Sequence, residues 1–254
     1  NLRIISDSAQ SPFATYNGKK CGTLVDIGGI SLNYHKHIHT GEGGVIFTNN
    51  KLYSEKCKMI RNHGEAVLKN RKFPLNNMLG NNFRMGELEA AIAIEQLKKL
   101  NNIVKKRERI ANYLTRGLKN IKGLKLPKIY NDLSNVYYTY PIILRKEYNF
   151  DRKKILAYFK KYKISNMGSG YENLHLLPLF QNKQVYGNSN FPWKSEFNKR
   201  NISYKKGICP IAEIMNDKLY IGYSGISHFD LNKSNVDYLV KITKIIFNKK
   251  DIYL

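Results

Sequence analysis

Acidic residues are scarce in this 254-residue sequence: 19 Asp and Glu stand against 43 Lys and Arg, a formal charge of +24. That imbalance invites a nucleic-acid reading, which calls for a one-sided basic stripe. The excess is spread evenly instead. Residues 1–126 hold 22 Lys and Arg against 9 acids, and residues 127–254 hold 21 against 10. This evenness weighs against a nucleic-acid partner, and the densest run, Lys105 to Arg109, is expected on the wet side of a helix. What remains is a general attraction for anions, which suits a phosphorylated substrate.

Cysteine is nearly as scarce. Cys21, Cys57 and Cys209 form no CxxC pair, which argues against a disulfide framework and fits a reducing cytosol. No apolar run approaches the roughly 20 residues that span a bilayer, and the start of the sequence shows no signal-peptide pattern. Internal repeats and low-complexity segments are absent as well. With 42% hydrophobic residues, the expectation is a soluble cytoplasmic globular chain of one large domain or two smaller ones, with no membrane partner.

What is present reads as alternating strands and helices. Leu2–Ser6, Gly29–Asn33 and Val45–Thr48 are short apolar runs, the first expected to be buried, and Gly41-Glu42-Gly43-Gly44 is the turn that feeds the third. Leu52–Arg61 reads as a helix, and the following stretch to Asn82 as a long loop. Met85, Leu88 and Ile92, then Leu97, Leu100 and Val104, repeat at three and four, predicting a long helix to about Leu118. After Pro127 the character changes to a strand over Val136–Leu144, a helix over Asp151–Lys161 and a terminal helix over Asn232–Asn248. The fold class is therefore α/β: residues 1–125 belong to a large α/β domain and 126–254 to a smaller α+β domain. Because Leu2–Ile5 already reads as a core strand, the sequence is expected to continue something longer.

Chemistry-bearing residues gather at strand ends, where α/β folds place ligands. Asp7 and Gln10 follow the first strand, Ser31 ends the second, and Lys36 lies five residues on. A carboxylate, a hydroxyl, a lysine and a tight glycine turn suit a cofactor with a pyridinium ring, a phosphate and an aldehyde. Each also has a bland reading: Asp7 as a turn residue, Ser31 as an ordinary strand-end hydroxyl, Asn82 and Arg84 as helix caps. His35, His37 and His39 surround Lys36, and in a strand they would share one face and offer a metal three ligands. A zinc site wants a further ligand, and the cysteines stand alone, so metal is not expected.

The stretches "ISDSAQ", "GEGGVIFTNN", "GNNFRMGELEAAIAIEQLKKL" and "KRERIANYLTRGL", followed by "YYTYPIIL", "GYENLHLLPLFQ" and "CPIAE", occur in an order and spacing that span the chain. Together they resemble the DegT/DnrJ/EryC1/StrS sugar aminotransferases. The resemblance implies the fold type I, aspartate-aminotransferase-like architecture and the cofactor pyridoxal 5'-phosphate. It implies that Lys36 is the Schiff-base lysine, Asp7 the carboxylate beneath the pyridine nitrogen, and Gln10 the amide packed on the ring. Ser31 would bind the cofactor phosphate. Asn82 would reach the phosphate site of a neighbouring subunit, which implies a homodimer. Tyr171 and His175 would approach the sugar, whereas His63 and Cys209 read as structural. The implied reaction moves an amino group from glutamate or glutamine to a keto-sugar, often nucleotide-linked, for surface polysaccharides or glycosides.

Two alternatives stand beside it. Related 3-dehydratases of deoxysugars carry histidine in place of the lysine, but alignment on Gly41–Gly44 puts Lys36, not His37, at that position. A non-catalytic remnant of the family is the other. Relatives also carry a longer segment ahead of "ISDSAQ", with a phosphate-gripping turn and an aromatic that stacks on the ring. Either a separate polypeptide is expected to supply that segment, or the sequence is a cropped or truncated chain.

Overall fold

The structure, a computed structural model, describes residues 2–65, 78–128, 130–198, 200–227 and 231–254. In chain order the strands and helices are β1 (Ile5–Asp7), β2 (Thr15–Tyr16), β3 (Lys19–Lys20), β4 (Ile27–Ser31), β5 (Gly44–Phe47), α1 (Lys51–Arg61) and α2 (Glu87–Leu118). They continue with β6 (Leu124–Lys125), β7 (Tyr140–Leu144), α3 (Arg152–Lys161), β8 (Met167–Gly168), α4 (Pro178–Gln181), α5 (Pro210–Ile214), β9 (Tyr220–Tyr223) and α6 (Lys233–Phe247). The chain divides into two compact units. Unit 1 comprises residues 1–111 and 128–138; unit 2 comprises 112–127 and 139–254.

Unit 1 is built on a three-stranded sheet in the order β1-β4-β5, with β1 parallel and β5 antiparallel to β4. Two glycines shape it. A Cβ on Gly28 would fall 1.9 Å from the Gly22 carbonyl oxygen, so only glycine lets that backbone lie on the strand. Gly43, at φ 147°, turns the chain back to pair β5 with β4. Ala14, Leu32, Ile38, Leu100, Val104 and Val136 form the core. Residues 128–138 return to this unit through backbone bonds between Asn17 and Asp132 and between Ser134 and Thr15.

Several expectations need correction in unit 1. Leu2–Ile5 is not a buried run: the strand starts at Ile5, which is 76% exposed, because β1 is an edge strand and no described element covers its face. Periodicity places α2 correctly, but only its later apolar residues are buried, while Leu88 is 79% exposed. Arg107 is not on the wet side of α2. It is 4% exposed and its guanidinium reaches the Tyr137 carbonyl at 3.5 Å.

Unit 2 carries an antiparallel four-stranded sheet in the order β6-β7-β9-β8. Tyr140, Ile142 and Leu144 alternate inward along β7, and Ile142 lies opposite Ile221 of β9. Each such fully buried side chain contributes about 1.5–3 kcal/mol over an exposed one. The expected strand over Val136–Leu144 is shorter, because Tyr137 sits at φ 48° and breaks it; β7 begins at Tyr140. α3 packs on α6. The Asp151 side chain caps α3 by accepting from the Lys154 amide, and Asn232 and Asn235 cap α6 reciprocally. Val236, Leu239, Ile242 and Ile246 make the buried stripe of α6. Among the described residues no helix is long and apolar enough to cross a membrane.

Candidate active site

The parallel pairing of β1 with β4 sets Asp7 opposite Gly29, so the Asp7 side chain stands on the face of the sheet that Gly29 leaves bare. Ser31 lies on that face two residues further along β4, about 7 Å. Both strands end here, at their carboxyl ends. On this face an open depression of about 390 Å³ is bordered by Ile5, Asp7, Gly29, Ser31 and Ile46. Its floor is flat because Gly29 has no side chain; a Cβ there would meet only the Val45 carbonyl, at 3.7 Å.

Asp7 is fixed by an Asx turn: its Oδ1 accepts from the Ala9 amide at 3.1 Å. Its Oδ2 has no partner among the described residues. The Ser31 hydroxyl oxygen accepts from the Asn33 amide at 3.2 Å, which leaves its own O–H to donate elsewhere. Gln10 lies in the exposed turn after β1.

Residues 33–39 form turns, not a strand, so the three histidines do not share a face. The His35 ring lies against the Tyr34 ring at 3.7 Å, on the exposed side. His37 is fully buried. Its Nε2 lies 2.7 Å from the Val136 carbonyl, which can only accept, so Nε2 carries the proton. Its Nδ1 is buried without a partner among the described residues. Burial, with the nearby Arg107 charge, pushes the His37 pKa down to about 4 against the opposing pull of the Val136 bond, so the ring is neutral. Burial also lowers Arg107, to about 10. Among the described residues no three His, Cys, Asp or Glu side chains are placed to hold a metal.

Lys36 sits on the rim of this buried anchor. Its amide donates to the Asn33 carbonyl at 2.9 Å, and its Nζ lies 4.8 Å from the centre of the Tyr138 ring. His37 therefore pins the Lys36 turn to the 136–138 segment, a role its sequence context did not announce. Asn82 lies in a separate part of unit 1. It bridges to Asn62, and its Oδ1 accepts from the Arg84 amide at 3.3 Å while the Arg84 guanidinium donates to Asn62. Neither Asn82 nor Arg84 caps α2, which begins at Glu87. His63, at φ 59°, is held through its amide by the Asn81 carbonyl. The part of the expected loop over residues 66–77 lies outside the described residues.

In unit 2, His175 occupies a short 3-10 turn over Leu174–Leu176, and its Nε2 donates to Glu213 Oε1 at 2.9 Å. Glu213 is buried, and it accepts from the Gly207 and Cys209 amides as well. Burial raises its pKa, but the bonds from His175 and the two amides outweigh that and hold the carboxyl below its ordinary value. Glu213 was missed as a site residue; the only signal was its place in "CPIAE". Cys209 is exposed, not a packing residue, because Pro210 starts α5 with the cysteine outside it. Tyr171 is exposed beside this turn in sequence.

The structure thus brings an anchored strand-end carboxylate and a hydroxyl to the bare glycine floor, and sets Lys36 in the turn that follows β4. The profile of the DegT/DnrJ/EryC1/StrS aminotransferase family matches residues 1–207, and the chain belongs to that family. It is similar to the GDP-perosamine synthase of Vibrio cholerae, 27% identical over 219 residues, covering 85% of this chain and 58% of that protein. It is also similar to the UDP-4-amino-4,6-dideoxy-N-acetyl-beta-L-altrosamine transaminase of Campylobacter jejuni, 31% identical over 156 residues, 61% of this chain and 41% of that protein. The structure of PseC from Helicobacter pylori, an aminotransferase involved in pseudaminic acid biosynthesis, superposes with a TM-score of 0.74 at 26% identity. It covers 97% of this chain and 60% of that one. The chain thus spans about half the length of the curated relatives it matches. The fold is that of the PLP-dependent aminotransferases, fold type I.

Proposed function

We propose that this protein is a sugar aminotransferase that uses pyridoxal 5'-phosphate to carry an amino group from glutamate or glutamine to a keto-sugar, in most cases nucleotide-linked. The observation that carries the reading is Asp7, locked by its Asx turn with one carboxylate oxygen unclaimed, beside the open Gly29 floor and in line with Ser31. A flat, phosphorylated, cationic ring fits those three features. Bound there, the cofactor supplies an electrophilic carbonyl carbon and a ring that takes up electrons from the carbon losing its proton.

The chain's own residues do the rest. Asp7 Oδ2 would accept the ring N–H and keep that nitrogen protonated. The Ser31 hydroxyl donates to the phosphate, and the Gln10 amide packs on the ring. Lys36 would supply the amine that holds the cofactor and the base that moves a proton at the donor α-carbon. Tyr171 and His175 contact the sugar. Asn82 serves the cofactor phosphate of a second copy; exposed Phe83, Leu88, Ile92 and Leu97 give the apolar surface such a homodimer needs. In these terms residues 1–125 form the lysine-bearing part of the large cofactor-binding domain and 126–254 the small domain. The dehydratase alternative needs a histidine in the place of Lys36, and the adjacent His37 is buried and committed to Val136.

Borohydride reduction of the chain incubated with pyridoxal phosphate, followed by peptide mass mapping, tests this reading. The phosphopyridoxyl mass belongs on Lys36. A label on another lysine, or none, would overturn the assignment.

A further inference from the structure

Lys36 is not one of the described residues that border the depression beside Asp7 and Ser31. Its half-buried side chain leads instead to residues 135–138 of the same unit, where Nζ lies 4.8 Å from the centre of the Tyr138 ring. A cation over an aromatic face is attracted within about 6 Å of the ring centre. The amine therefore has a second place to be, and Tyr138 defines it.

The local backbone is bent to present that ring. Tyr137 takes φ 48°, a left-handed conformation that is rare for a bulky residue and persists only where its surroundings impose it. They do so here. The Asn135 Oδ1 accepts from the Tyr137 amide at 2.8 Å, the Arg107 guanidinium reaches the Tyr137 carbonyl at 3.5 Å, and the Tyr137 side chain is buried. In an extended segment successive side chains alternate between faces, and the bend at Tyr137 ends that alternation. The Val136 carbonyl and the Tyr138 ring then meet adjacent residues of one turn, His37 at 2.7 Å and Lys36 at 4.8 Å. The His37 and Tyr138 rings lie 6.4 Å apart. The bond to His37 fixes where the Lys36 side chain starts, and the Tyr138 ring fixes where it ends.

We infer that Tyr138 is a positioning residue for Lys36, whose ring holds the ammonium whenever that amine is not holding the cofactor. The inference rests on the sugar-aminotransferase reading, in which Lys36 alternates between holding the cofactor and moving a proton. A freed lysine side chain is long and rich in rotamers, so a fixed resting place returns it to one position between those tasks. The contact has to break before the amine can reach the cofactor. It therefore opposes cofactor capture by its own strength, roughly two- to fivefold in affinity for an attraction of about 0.5–1 kcal/mol.

The first test needs no cofactor. The chain, isotope-labelled at its lysine ε-carbons, is compared by NMR with a Lys36→Arg variant, whose missing signal identifies Lys36. The ring current of Tyr138 should move the Lys36 ε-protons upfield of their position in the unfolded chain. Tyr138→Phe keeps the ring and should keep the displacement, and Tyr138→Leu should abolish it. A Lys36 signal of the parent chain at the unfolded position overturns the inference whether or not the variants fold. A displacement that survives in a folded Tyr138→Leu chain overturns it too. The second test is titration of the same chains with pyridoxal phosphate, followed by absorbance. Tyr138→Leu should bind about two- to fivefold more tightly than the parent and Tyr138→Phe equally well, and the upfield displacement should vanish as the parent fills. Weaker binding by Tyr138→Leu overturns the inference. The displacement without a borohydride label on Lys36 would sink the aminotransferase reading alone. A label on Lys36 without the displacement would sink the role of Tyr138 alone.

Discussion

Asp7, Ser31 and Lys36 in unit 1 are placed by backbone, through strand ends, an Asx turn and a tight loop, and Asp7 and Ser31 border a sheet face where Ile5 and Ile46 stay exposed. His175 in unit 2 is placed by another side chain, the buried carboxylate of Glu213, in a unit whose sheet has Ile142 and Ile221 fully covered. Backbone placement leaves the side-chain atoms unspent, so a carboxylate oxygen and a hydroxyl proton are still available to a ligand. Side-chain placement spends one nitrogen of the imidazole to aim the other. The first arrangement suits groups that must grip and react, and the second a group that must only recognise. Unit 1 should therefore carry the chemistry and unit 2 the selectivity.

The sharpest test of that division is Lys36→Ala, which should lower turnover by at least about a thousandfold, the upper part of the range for a lost proton-transfer group. Lys36→Arg should fail equally, because a guanidinium does not deprotonate at working pH. His175→Ala should mainly raise KM for the sugar. If His175→Ala lowers kcat as far as Lys36→Ala does, the division between the units is wrong.

The same contrast should appear in stability. Native-state hydrogen exchange should find the amides of Ile142 and Ile221 slower than those of Ser6 and Gly29, on the order of a hundredfold, because local opening is cheaper where fewer apolar groups are covered. Equal protection in the two sheets would remove the comparison.

Acid should strike unit 1 first through His37. Its pKa is depressed to about 4 from an ordinary 6.5, so the unfolded chain binds the proton more readily than the folded one. The folded state is favoured above pH 6.5, and as pH falls from 6.5 towards 4 it loses up to about 3 kcal/mol. His37→Leu should flatten that part of the stability–pH curve. It should also loosen the Lys36 turn by removing the Val136 bond, and so weaken cofactor retention. An unchanged acid slope would show that the buried ring does not control this window.

Much of this arrangement is legible in sequence because it is local. Three-and-four spacing gives α2 and α6, the glycine turn fixes the Ser31–Lys36 register, and "ISDSAQ" carries the strand-end carboxylate. What is hidden is the long-range half of each contact. Nothing near His37 announces Val136, 99 positions away, and Glu213 is 38 positions from His175. Arg107 looks like part of a solvated charge run until the Tyr137 carbonyl, 30 positions on, is seen to take its guanidinium. Apolar spacing also says which residues share a face but not whether that face is covered, which is why Ile5, read as core, is exposed, and why the helical stripe that includes Leu88 is bare at its start.

The smallest expected effect falls on Glu213, a positioning residue that, on the proposed reading, would act on the sugar only through His175. Glu213→Gln keeps the size of the side chain but replaces an acceptor-only group with one that also carries two donors. The Gly207 and Cys209 amides and the His175 Nε2–H all donate to Oε1, and the Gly207 amide also donates to Oε2, so a new NH2 at the second position meets the Gly207 N–H donor to donor and displaces the group that holds His175. His175 then gains freedom, and KM for the sugar should rise roughly fivefold while kcat holds, as for the loss of one hydrogen bond. The pH dependence separates positioning from simple packing. The Glu213 carboxyl is held below its ordinary value, so its ionised form stabilises the fold above the unfolded-state pKa and that support is lost as pH falls through the folded-state value. Glu213→Gln should lose this acid-dependent step, and Glu213→Asp should restore the step while leaving KM raised, since the shorter side chain cannot reach His175 and both amides together. A variant that lowers kcat, or that keeps the wild-type acid step, would place Glu213 outside this role.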